Sequence, residues 1–73
     1  MDFILGQGEI AVEIKGAAKI DGKDLFGIRA FTEEFSPKRS IVVCNEKDKR
    51  VRGKIELLPW EIFLHELWAG KIL

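Results

Sequence analysis

The sequence predicts an α/β domain: a mixed sheet of about four strands, with elements in the order β-β-α-β-β-α. Three observations carry this. Residues 9 to 15, Glu-Ile-Ala-Val-Glu-Ile-Lys, alternate with period two, placing Ile10, Val12 and Ile14 on one face and Ala11, Glu13 and Lys15 on the other. The run Arg39 to Cys44 is short and nearly all apolar, as in a strand buried on both faces. Two amphipathic helical stretches, one before that run and one closing the chain, supply the covering layers.

With 73 residues the chain is a single domain, near the size at which a hydrophobic core only just outweighs chain entropy. At 47% hydrophobic and 33% charged it is neither disordered nor low in complexity. Twelve basic and twelve acidic residues cancel. No global positive field therefore draws it to nucleic acid or an anionic membrane, and polyanion binding would need a local patch. The densest basic stretch is Lys47 to Lys54, with Lys47, Lys49, Arg50, Arg52 and Lys54 against Asp48. It has no interleaved aromatics, so a solvated loop is the plainer expectation. The lone Cys44 reads as a small buried hydrophobe, and no disulfide or zinc pattern exists. No apolar run reaches the length of a membrane span, and Asp2 stands where a signal peptide carries basic residues. A soluble, cytoplasmic protein is expected, with no membrane partner.

In chain order, Asp2 to Leu5 and Glu9 to Lys15 form a hairpin. A two-residue turn at Gln7-Gly8 makes Gly6 oppose Glu9 and Asp2 oppose Glu13, with both carboxylates on one face. A three-residue loop without a bulge puts the two acids on opposite faces. A helix is expected from about Asp21 to Phe35, with Asp21 and Asp24 at N-cap and N3 and a buried stripe of Leu25, Ile28, Phe31 and Phe35. Gly27 inside it costs about 1 kcal/mol relative to Ala, which marks a close approach to the sheet. Ser36-Pro37 ends it. A parallel crossover then leads from the Glu13 strand to the Ile41 strand. Residues 45 to 53 read as a polar loop and Lys54 to Leu58 as a strand. Pro59 opens the last helix, whose core stripe is Trp60, Phe63, Leu64, Leu67 and Trp68; Gly70 stops it. His65, one turn after Glu61, reads as an exposed polar residue.

Glu13 and Lys15 share a face, and Asp2 on the partner strand adds a second carboxylate. Two carboxylates and an ammonium so placed can hold a divalent metal and polarise a water. The plainer alternative is an edge-strand ion pair between Glu13 and Lys15 worth at most ~1 kcal/mol.

The ordered set of Asp2 on the first hairpin strand, Glu13-Ile14-Lys15 on the second, a helix and a buried strand resembles the PD-(D/E)XK nuclease-type fold. More closely, Met1 to Leu5, Ala11 to Lys15, Leu25 to Phe35, Ile41 to Cys44 and Leu58 to Leu64 resemble the C-terminal nuclease-like domain of bacterial and archaeal AAA-type ATPases of unknown function. The resemblance implies a restriction-endonuclease-like core lacking its first helix and strand. It also implies Asp2 and Glu13 as ligands of Mg2+, and Lys15 as the residue that orients or deprotonates the attacking water in DNA cleavage. The chain has no Gly-x-x-x-x-Gly-Lys-Ser/Thr, so no ATPase activity is carried over. A second expectation, from a different class, is a non-catalytic interaction or oligomerisation module, the remnant of an ATPase-type protein. An open strand edge or an uncovered sheet face predicts a homodimer or strand-exchanged oligomer.

Overall fold

The structure is a computed structural model and describes residues 3–5 and 9–72. Among these residues the sheet has five strands: β1 (Phe3–Leu5), β2 (Ile10–Ile14), β3 (Arg39–Cys44), β4 (Arg50–Arg52) and β5 (Ile55–Pro59). They lie in the order β1-β2-β3-β5-β4, so β1 and β4 are the edges. The two outer pairs are antiparallel and the two central pairs, β2 with β3 and β3 with β5, are parallel. The mixed α/β architecture expected from periodicity is therefore present, with one strand more than expected. Residues 50 to 52, read as part of a polar loop, pair with β5 because the chain reverses at Gly53, whose φ of 61° suits a glycine. Lys54 falls in that turn rather than in the strand.

The hairpin pairs Phe3 with Val12, Ile4 with Ala11 and Leu5 with Ile10. This is the register expected from a two-residue turn at Gln7-Gly8; the turn itself and Asp2 lie outside the described residues. After β2 the chain crosses over through a 3-10 turn (Gly22–Leu25) and helix α1 (Phe26–Phe35) to the parallel β3. The expected N-terminal signal is real: Asp21 Oδ1 accepts from the Lys23 N–H at 3.0 Å, and Asp24 Oδ2 accepts from the Asp21 N–H at 3.0 Å. That reciprocal box caps a 3-10 turn, with α-geometry starting only at Phe26. Ser36 ends α1 in the left-handed region, its N–H donating to the Thr32 carbonyl at 3.0 Å.

Helix α2 (Trp60–Trp68) follows β5 without a loop, Pro59 serving as the last strand residue and the N-cap. Its end is a Schellman motif. The Gly70 N–H donates to the Leu67 carbonyl at 3.2 Å and the Lys71 N–H to the Glu66 carbonyl at 2.9 Å, with Gly70 at φ 73°.

The helices cover opposite sheet faces because side chains alternate along each strand. Under α1 lie Ala11, Val42, Cys44, Ile55 and Leu57 with Ile20, Leu25 and Ile28. On the α2 side lie Ile10, Val12, Ile41, Val43 and Leu58 with Phe63 and Ile72. Each fully buried Val, Leu or Ile contributes ~1.5–3 kcal/mol. Burial at Cys44 also pushes its thiol pKa up, as expected of a small core residue.

Five expected core positions are corrected. Phe35 is 60% exposed; the helix turns Thr32 inward instead, where its hydroxyl donates to the Ile28 carbonyl and meets the Ser40 hydroxyl, both at 2.6 Å. Trp60, Leu64 and Trp68 are exposed, Trp68 by 87%, because α2 rests on the sheet through Phe63 with half-buried Ile62 and Leu67. Ile14, the last residue of β2, is 54% exposed.

Candidate functional site

Glu13 sits on β2, an interior strand flanked by β1 and β3, and is only 7% exposed. The edge-strand placement expected for it is thereby corrected: the carboxylate is part of the packed face beneath α1. Gly27 on α1 is the helix residue that lies over it. A Cβ built on Gly27 would lie 3.6 Å from Glu13 Oε1, ordinary van der Waals contact. The close approach expected of Gly27 is thus not required by the packing, since a methyl there would only touch this one side chain.

Lys15 follows β2 directly and is half-buried; its N–H donates to the Val43 carbonyl at 2.8 Å, prolonging the parallel pairing. Strand alternation keeps its side chain on the face of Glu13. The segment beyond is tied down by Asn45, whose N–H reaches the Ala17 carbonyl and whose Nδ2 reaches the Gly16 carbonyl, each at 3.1 Å. Asp2, the second expected carboxylate, lies outside the described residues. Among the described residues no group of three or more His, Cys, Asp or Glu gathers as a metal site. Glu13 is the one member of the expected ligand pair that is described. A carboxylate oxygen is the donor a hard cation such as Mg2+ takes, and Mg2+ commonly uses one or two carboxylates with several waters.

The basic stretch from Lys47 to Lys54 is divided by the fold. Arg50 is taken up structurally: it grips Glu46 through Nε and Nη2, both at 2.8 Å, and donates to the Ile20 carbonyl at 2.6 Å. Lys49 Nζ is 3.8 Å from Glu66. Arg52 and Lys54 instead enter a cleft of about 430 Å³ between α1 and the β4–β5 turn, together with Arg29, Thr32, Glu33 and Ile55. Sequence reasoning missed this grouping because Arg29 is more than twenty residues away and reaches the cleft only through the crossover. His65 is exposed on α2, as expected.

Sheet order, hairpin and crossover define a mixed α/β domain with one helix on each sheet face. No protein family, curated protein or solved structure matches the chain. Among the described residues no helix is long and apolar enough to cross a membrane.

Proposed function

We propose that this chain is a nuclease-like domain acting on the phosphodiester backbone of DNA through the β1–β2 hairpin. The observation that carries the reading is Glu13, a carboxylate buried on an interior strand and closed over by a helix at a glycine. Carboxylates are seldom buried this far from water, which makes the position a candidate for function. The antiparallel hairpin followed by a parallel α-helical crossover is also the element order of the nuclease-type fold that the sequence resembles.

In this reading Asp2 and Glu13 would hold Mg2+, which would supply Lewis-acid polarisation of the phosphate and activation of water. Glu13 presents its carboxylate from a rigid strand, so its position is set by the sheet rather than by a loop. Lys15, on the same face, orients the attacking water or balances charge developing on phosphate. The test is cleavage of double-stranded DNA with Mg2+ or Mn2+ by the native chain, Glu13→Gln and Lys15→Ala. The proposal expects metal-dependent cleavage that falls at least ~100-fold in each variant, the scale of losing one transition-state contact; equal rates in all three overturn it.

A second reading, an interaction module, is favoured by one observation. Trp60, Leu64 and Trp68 stand at i, i+4 and i+8 on α2 and leave their side chains open to solvent. Self-association through this stripe or through the β1 edge would cover them, and it is compatible with either activity state of the hairpin.

A further inference from the structure

We propose that the cleft between α1 and the β4–β5 turn binds a small phosphorylated ligand, one carrying a terminal phosphate or diphosphate. The charge distribution points there. Lys38, Arg39, Lys49 and Arg50 each have a carboxylate partner, at 3.5, 2.7, 3.8 and 2.8 Å. Arg29, Arg52 and Lys54, like Lys19, Lys23, Lys47 and Lys71, have no ion-pair partner among the described residues, but these three alone of that set line one cleft. A chain of zero net charge thus gathers three uncompensated cations around one concavity, with Glu33 as the sole acid among the described residues of its wall. Like charges brought together repel, and a bound dianion relieves that repulsion while using the donors of two guanidinium groups and an ammonium.

The cleft has the size and the floor for such a ligand. Its volume of about 430 Å³ falls in the range of small-molecule sites. Buried Thr32 and Ile55 form a base of one hydroxyl and one apolar side chain, and the Thr32 hydroxyl is already held by Ile28 and Ser40. Two rigid elements set the cations apart: Arg29 rides on α1, while Arg52 and Lys54 flank Gly53 in a hairpin turn whose positive φ suits only small residues. A nucleic-acid track needs a basic stripe extending over many phosphates. Three cations around one concavity match a single compact anionic group instead. The site is independent of the hairpin chemistry, because at 100° per residue Arg29 and Glu33 lie on the other side of α1 from Gly27 and Glu13.

The test is titration of the 15N-labelled chain with pyrophosphate at constant ionic strength, followed by amide chemical shifts. Saturable shifts confined to residues 29 to 33 and 52 to 55 are expected. Arg52→Ala combined with Lys54→Ala should weaken binding at least tenfold with the spectrum otherwise intact, as both side chains are exposed. Lys47→Ala, which removes a cation outside the cleft, should change affinity less than twofold. Shifts that never saturate, or an equal loss in Lys47→Ala, overturn the proposal. So does binding of a single-stranded oligonucleotide without any response to pyrophosphate.

Discussion

At the scale of single residues, the most informative group is Glu46, and it is structural. Its carboxylate accepts two bonds from Arg50 and one from the Ile20 N–H at 2.7 Å, with only 11% of the side chain exposed. The Arg50 guanidinium, opposed by burial and helped by the Ile20 amide, holds its pKa down to about 2. A carboxylate depressed on folding contributes stability that is complete above its unfolded pKa and lost as pH falls through the folded one. Glu46 therefore stabilises the domain fully above roughly pH 4.5, and the contribution fades between that pH and about 2. Glu46→Gln should cost about 1–2 kcal/mol at pH 7, allowing for solvent screening, and should flatten that part of the acid unfolding curve. Urea denaturation at pH 7 and at pH 3 checks both; an unchanged pH slope contradicts the assignment. Arg39 plays the matching part on the other sheet face, gripping Glu56 through Nε at 2.8 Å and Nη2 at 2.7 Å and donating to the Lys71 carbonyl at 3.1 Å. That grip raises the Arg39 pKa and lowers that of Glu56, and it ties β3, β5 and the C-terminal segment together.

At the scale of elements, helix ends were legible and helix faces were not. Asp21, Asp24 and Gly70 cap as their residue types require, because capping depends on a few local bonds. Ser36 is the exception, a non-glycine residue with φ 49° at the end of α1. Ser36→Gly should relieve that strain and stabilise the domain by about 0.5–1 kcal/mol, measured as a rise in the urea midpoint with unchanged slope. A fall in midpoint would show that the Ser side chain compensates locally. The faces depended on neighbours. Phe35 and Thr32 differ by three residues on one helix, yet the aromatic stays outside, its ring centre 4.6 Å from that of Phe31, and the hydroxyl goes inside. Ser40 on β3 decides this by offering Thr32 a buried partner, which periodicity alone cannot show.

At the scale of the whole molecule, two exposed features set what the domain can meet: the Trp60–Leu64–Trp68 stripe and the β1 edge. Large apolar side chains at contiguous helical positions are costly to leave in water. Light scattering should return a mass above the 8.3 kDa of one chain, and Trp60→Ser with Trp68→Ser should bring it back toward that value. The substitutions touch exposed residues, so the native circular dichroism should persist. A native chain already at 8.3 kDa removes the oligomer reading and leaves the nuclease and phosphate-cleft proposals untouched.

The sequence by itself determined the alternating β2 strand, the doubly buried β3 and the helix caps, since each follows from local periodicity or from bonds a few residues apart, while of the two hairpin registers it allowed the structure chose one. It also singled out Glu13. Only the tertiary structure decided that Glu13 is interior and lies against Gly27, that Trp60 and Trp68 face solvent, and that Arg29 joins Arg52 and Lys54 in one cleft. The physical reason is the crossover: it sets α1 over β2 and β3 and beside the β4–β5 turn, and no short-range pattern records which side chains that placement brings together.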